Sequence, residues 1–260
     1  MVIQPTAKYI ILREIGVPTS LWQENESVNS ISIKAVIFDL DGTIVSFNLD
    51  YKALRGEVRS YLLRVGVPAS VVSANENIFD MLNKTAIYVK NIGKSLGVMN
   101  EIRNGAWAIA EKYELEAASN TDLLPGADET LKALKRMNLK IGLFTLNSDK
   151  AVNYILRRFK LGDFFGVAVP RNKVSYVKPN PGHLEMALKI LGVTPEVTMV
   201  VGDSKVDMES AMELKAIAVG LPTGISTIKE LTVHGANYII TSITDLPILI
   251  ERVNREQATQ

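Results

Sequence analysis

Short apolar runs and longer amphipathic stretches divide the chain into two kinds of segment. Ala35-Val36-Ile37-Phe38, Lys140-Ile141-Gly142-Leu143-Phe144 and Thr198-Met199-Val200-Val201-Gly202 are brief apolar runs flanked by turn-forming residues, the pattern of strands buried on both faces. Phe165–Val169, Ala216–Gly220 and Tyr238–Thr241 are further candidate strands, and the last helix is expected to start near Asp245-Leu246-Pro247. After Pro125-Gly126 strand and helix patterns alternate, which predicts a parallel sheet. From about residue 47 to 122 the strand pattern is absent. Leu54, Val58, Tyr61, Leu62 and Val65 recur there at helical spacing, as do Ile102, Ala106, Ile109, Ala110 and Tyr113. The expected organisation is an α/β core of residues 31–46 and 123–260, an all-helical insertion of residues 47–122, and an N-terminal extension of residues 1–30. Within the extension Gln23 to Ser30 reads as a linker, and its role is not legible. There is no internal repeat and no low-complexity stretch.

Polar residues gather where the apolar runs stop. Asp39 and Asp41 flank Leu40 at the end of the first run, and Gly42 lets the backbone turn away. Two carboxylates this close repel, a cost that a cation or a reaction must offset, and a nucleophile beside an acid/base group is one arrangement that needs them. An Asx-rich turn is the plain alternative. A calcium loop is excluded, because Ile44 and Asp50 stand where that pattern requires Gly and Glu. The second run ends in Thr145-Leu146-Asn147-Ser148, which supplies hydroxyl and amide donors. Val177-Lys178-Pro179-Asn180-Pro181-Gly182 opens a helix with Asn180 as cap and Pro181 at the first position. The third run ends in Asp203-Ser204-Lys205-Val206-Asp207. Taken singly, each of these is as well explained by ordinary turns.

Their shared position changes the picture, because ligands of open α/β sheets bind beyond the carboxyl ends of the strands. Asp39, Asp41, Asp203, Asp207, Lys178 and the Thr-Leu-Asn turn would converge there. Unit charges about 4 Å apart repel by roughly 4 kcal/mol at an effective dielectric near 20, so several carboxylates with one Lys call for a divalent cation. Oxygen donors suit Mg²⁺ better than zinc, and the chain has no Cys to offer as thiolate.

On these residues the chain resembles the haloacid dehalogenase superfamily, in its phosphatase branch and closest to phosphoglycolate-phosphatase-like enzymes. The four motifs occur in order over residues 34–253: Asp39-Leu40-Asp41-Gly42-Thr43, Thr145, Lys178-Pro179 and Gly202-Asp203-Ser204-Lys205-Val206-Asp207. The resemblance implies a Rossmann-like core with a helical cap inserted between the first and second motifs. It implies that Asp39 attacks phosphorus to give an aspartyl-phosphate, while Asp41 protonates the leaving group and then activates water. Gly42, Thr43, Thr145, Leu146, Asn147 and Lys178 would bind the phosphoryl group, and Lys178 would bridge it to Asp39. Mg²⁺ would be held by Asp39, the Asp41 carbonyl and Asp203, with Asp207 bound directly or through water. The second Asp of the first motif argues for phosphoryl transfer over C–halogen cleavage. A phosphomutase built from the same motifs, or a non-catalytic phospho-ligand-binding module, are the alternatives.

Composition narrows the partners. Twenty-nine basic and 28 acidic residues give a net charge of +1, which predicts neither nucleic acid nor an anionic membrane as partner. The absence of Cys suits a reducing cytoplasm. Tyr9-Ile10-Ile11-Leu12 is too short for a signal-peptide core or a membrane span. A small phosphorylated metabolite is the expected ligand, and oligomeric state is not legible. For selectivity, Lys52, Arg55 and Arg59 form a basic face on the first cap helix, and Arg55 or Arg59 is a candidate for a second anionic group of the substrate. His183 and His234 are read as non-catalytic, Trp107 as packing of the cap on the core, and Lys205 as solvated. Lys215 replaces a usual Gly after the fourth motif, so it must adopt the left-handed region or the helix must end otherwise.

Overall fold

The structure is a computed structural model that describes residues 9–11 and 32–258, with side chains for 32–256. Strands β1 (Tyr9–Ile11), β2 (Ala35–Phe38), β3 (Lys140–Thr145), β4 (Val167–Pro170), β5 (Thr198–Gly202), β6 (Ile217–Gly220) and β7 (Tyr238–Ile240) pair in parallel in the order β1-β7-β6-β5-β2-β3-β4. Every residue of β2 and β5 is buried, which is why these runs are continuously apolar rather than alternating. The chain leaves β2 to one side for β3 and β4, then returns to the other side for β5, so the switch point falls at β2. Register sets Phe38 beside both Leu143 and Val201, and the Asp39 N–H donates to the Val201 carbonyl at 2.9 Å. The motif segments at the ends of β2, β3 and β5 are thereby level with one another.

Helices α4 (Ala127–Arg136), α5 (Asp149–Arg158), α6 (Pro181–Leu191), α7 (Lys205–Glu213), α8 (Ile228–Val233) and α9 (Leu246–Ala258) accompany the sheet. α6 starts as its sequence predicts: the Asn180 side chain accepts from the Gly182 N–H, and Pro181 is the first helical residue. After α7, Lys215 takes φ 61°. The chain thus accepts the left-handed conformation without Gly, at a cost of about 1–2 kcal/mol. Asn237 receives the Ala218 N–H on its side chain at 2.7 Å and so binds β6. Strand β1 was not anticipated: part of the N-terminal extension joins the sheet beside β7. The Gln23–Ser30 linker lies outside the described residues.

Residues Asn48–Asn120 form one compact unit and the remainder of the chain the other. In the smaller unit α1 (Tyr51–Arg64), α2 (Ile78–Asn91) and α3 (Leu96–Asn120) enclose Leu54, Val58, Leu62, Met81, Val89 and Ala106. Burying one such Leu or Val contributes about 1.5–3 kcal/mol. Asp50 and Asn77 cap α1 and α2 by accepting from Ala53 N–H and Asp80 N–H, both at 2.9 Å. Trp107 packs within this unit, its ring 5.0 Å from that of Phe79 on α2. No helix among the described residues is long and apolar enough to cross a membrane.

Candidate active site

Lys178 is the hub of the motif residues. Its ammonium lies 2.6 Å from Asp39 Oδ1 and 2.6 Å from Asp207 Oδ1, and donates to the Phe144 carbonyl at 3.3 Å. Its side chain is 1% exposed. Burial by itself would lower the Lys178 pKa, but the carboxylates of Asp207 and Asp39 hold it well above the ordinary lysine range. Asp207 is fixed in turn: its Oδ2 accepts from the Ser204 N–H at 3.1 Å and from the Ser204 hydroxyl, forming the capping box of α7. Burial raises the Asp39 pKa to about 6 against the lowering pull of Lys178, which leaves the carboxylate mostly ionised at neutral pH.

Asp203 completes the cluster. Asp39, Asp203 and Asp207 each offer a carboxylate oxygen, and the three oxygens lie within 4.8 Å of one another. Burial first, and then the charges of Asp39 and Asp207, raise the Asp203 pKa to about 8. Ionised together, the three carboxylates would outnumber the single ammonium, and burial with that unbalanced charge is what holds the Asp203 proton on. Hard oxygen donors in that arrangement fit a small divalent cation of the Mg²⁺ type.

Asp41 sits apart from the triad. Its Oδ2 accepts from the Asn147 side-chain amide at 2.6 Å, which ties the turn after β3 to the second carboxylate of the first motif. The turn carrying Asn147 is braced on both sides. Asn147 N–H donates to the Thr145 hydroxyl oxygen at 3.2 Å. Arg171, buried just after β4, donates its guanidinium to the Leu146 carbonyl at 2.9 Å and its N–H to the Asn147 carbonyl at 3.1 Å. Thr43 is fully buried, and its hydroxyl has no hydrogen-bond partner among the described residues. Gly42, at φ 71°, passes against Asp203.

Some supports were not legible beforehand. His183, set aside from catalysis, is fully buried, and burial lowers its pKa to about 4. Its Nδ1 accepts from the Lys178 N–H at 3.3 Å, which leaves the ring proton on Nε2 to donate to the Val169 carbonyl at 2.8 Å. The neutral ring thus ties the lysine loop to β4. Arg171 gave no signal either, being one cation in a surface-like run. His234 pairs with Glu209 at 2.7 Å, and Lys205 is exposed. In the helical unit Arg55 donates to the Asn75 carbonyl at 3.4 Å and lies over the Tyr51 ring, while Arg59 Nε donates to the Val72 carbonyl at 3.1 Å. Both guanidinium groups therefore anchor the α1–α2 connection of their own unit.

Comparison with known proteins adds ancestry to this geometry. The chain is 31% identical over 227 residues to pyrophosphatase PpaX of Bacillus mycoides, covering 86% of this chain and all of that protein. It is 27% identical over 218 residues to phosphoglycolate phosphatase 1 of Pseudomonas aeruginosa, covering 82% of this chain and 78% of the relative. A hydrolase structure from Pseudomonas syringae superposes with a TM-score of 0.60 at 25% identity, over 84% of this chain and 98% of that one. A β-phosphoglucomutase from Clostridium difficile shares the fold, with a TM-score of 0.62 at 22% identity over 88% of this chain and 100% of that one. The haloacid dehalogenase-like hydrolase family matches residues 33–214. With more than half of its length matched, and its buried Asp–Lys cluster at the ends of β2 and β5, the chain belongs to the haloacid dehalogenase-like hydrolases.

Proposed function

We propose that this hydrolase is a Mg²⁺-dependent phosphatase that cleaves a small-molecule phosphomonoester through an aspartyl-phosphate on Asp39. One observation carries the reading: a buried Asp39 is held by Lys178 at 2.6 Å and joined by Asp203 and Asp207 in one cluster, next to the separately held Asp41. The phosphatase and pyrophosphatase names of its relatives support the same reaction class.

In the first step an Asp39 carboxylate oxygen forms a bond to phosphorus as the P–O bond to the leaving group breaks. Asp41 gives its proton to the departing alkoxide. In the second step Asp41, now a carboxylate, takes a proton from water; the water oxygen bonds to phosphorus, the acyl-phosphate bond breaks, and inorganic phosphate and Asp39 are released. Lys178, the Thr145 hydroxyl and the Leu146 N–H offset the charge on the phosphoryl oxygens, where pre-placed donors act most strongly. Asp39, Asp203 and Asp207, with the Asp41 carbonyl, would hold Mg²⁺, whose charge lets a phosphate dianion approach a carboxylate.

The test is phosphate release from a panel of metabolite phosphates, with Mg²⁺ and with excess chelator. Turnover in Mg²⁺ that chelation abolishes and added Mg²⁺ restores is the expected result. Full activity in chelator would remove the metal from the proposal. Return of the phosphoryl group to a sugar, rather than release of free phosphate, would assign a mutase.

A further inference from the structure

The turn between β6 and α8, Leu221-Pro222-Thr223-Gly224-Ile225-Ser226-Thr227, lies outside the four motif segments yet touches two of them. Ile225 N–H donates to Asp203 Oδ2 at 2.8 Å, and Ser226 N–H donates to the Asp203 backbone carbonyl at 3.3 Å. The Thr223 hydroxyl donates to the Gly42 carbonyl, and the Ser226 hydroxyl oxygen receives the Lys205 N–H at 3.2 Å. The turn is therefore pinned to the first motif at Gly42 and to the fourth at Asp203 and Lys205.

Two glycines make this approach possible. A β-carbon on Gly42 would lie 2.7 Å from Asp203 Cγ and 3.0 Å from the Gly224 Cα. A β-carbon on Gly224 would fall inside the Asp203 carboxylate itself. Gly224 does not adopt the left-handed region, so space rather than backbone conformation is what excludes a side chain there. Thr223, Gly224 and Ile225 are exposed, and exposed loop positions ordinarily accept side chains freely. This one is pressed against a buried carboxylate.

We infer that Thr223-Gly224-Ile225 is a clasp that holds Asp203 as a one-oxygen donor, and that this makes the centre discriminate Mg²⁺ from Ca²⁺. The inference rests on the divalent-cation reading above. Oδ2 is tied to the Ile225 amide, while Oδ1 has no hydrogen bond among the described residues. Asp203 thus offers one oxygen from a fixed direction. Mg²⁺ demands a near-ideal octahedron with short bonds, whereas Ca²⁺ takes six to eight oxygens and accepts both oxygens of a carboxylate. A carboxylate free to rotate serves either ion, and one pinned by a backbone amide favours the smaller. Partners of this kind behind a ligand commonly govern metal affinity.

The experiment is calorimetric titration of the full chain with Mg²⁺ and separately with Ca²⁺, without substrate. It compares wild type, Gly224→Ala, Thr223→Val and Thr223→Ser, each checked for folding by circular dichroism in chelator. Gly224→Ala is expected to weaken Mg²⁺ binding about tenfold, the low end of what such partners contribute, with a smaller loss for Ca²⁺. Thr223→Val should act in the same direction more mildly, and Thr223→Ser, which keeps the hydroxyl, should match wild type. If Gly224→Ala does not fold, the Thr223 pair decides. A wild type that binds neither cation overturns both the cation reading and the clasp. Binding by wild type with unchanged Kd values in the variants overturns the clasp alone, and equal weakening of both ions overturns the discrimination.

Discussion

The α/β unit and the helical unit bury different things. In the first, Asp39, Lys178, Asp203, Asp207, Arg171 and His183 are all buried, and each is bound to another site residue or to the backbone that carries one. In the helical unit Thr85 and Glu114 are the polar side chains among the described residues that are buried, and the interior is otherwise Leu, Val, Ile, Met and Ala. Its cations Arg55, Arg59 and Lys84 lie at or near the surface, on the unit's own loop carbonyls or on Glu76. Burying an ion is costly unless it is paired and hydrogen-bonded. A fold that concentrates such groups at one strand edge does so for chemistry, while a helical bundle needs only apolar packing to stand.

Asp39→Asn should give the largest effect: a folded protein with no detectable turnover of an aryl phosphate, since an amide is a poor nucleophile. Residual hydrolysis at a wild-type rate would remove the nucleophile from the α/β unit. Asp41→Asn should lose roughly 10²–10⁴ in rate on substrates with poor leaving groups, and less on an activated aryl phosphate. Equal losses on both would mean that Asp41 is not the proton donor.

Lys178→Met should destabilise the fold by about 3–5 kcal/mol in urea titration, because it strands Asp39 and Asp207 without their buried partner. Surface ion pairs contribute about 0–1 kcal/mol, so Lys84→Met in the helical unit sets the contrast. Similar values for the two would erase the distinction drawn here.

His183 supplies a pH test confined to the α/β unit. Its pKa is lowered to about 4 in the fold and returns to about 6.5 on unfolding. The unfolded chain therefore takes up a proton that the folded one refuses, and His183 contributes stability fully present above pH 6.5 and lost as pH falls towards 4. His183→Phe should flatten the denaturation midpoint over that range; an unchanged slope would show that another group is responsible. The smallest effects are expected from Arg55→Ala and Arg59→Ala, each losing about 0.5–1.5 kcal/mol with its carbonyl bond and leaving KM unchanged. A rise in KM confined to substrates with a second anionic group would show that these guanidinium groups leave their loop to bind ligand.

The strands that carry the motifs were legible because a strand buried on both faces is a continuous apolar run, as in β2 and most of β5, and β3 keeps that pattern after its exposed Lys140. The helical insertion was legible from the 3.6-residue recurrence of Leu54, Val58 and Leu62, whereas α2 was not singled out and β1 went unseen inside the extension. The carboxylates and the lysine could be named from their place at strand ends. Their partners could not: Asn147 reaches Asp41 across 106 residues, and Ile225 reaches Asp203 across 22. Chain order alone determined which groups stand at the sheet's carboxyl edge, because residue type and periodicity are local properties. Only the tertiary structure decided which oxygen each donor meets and where a β-carbon has no room, because those depend on how separate loops close over one another.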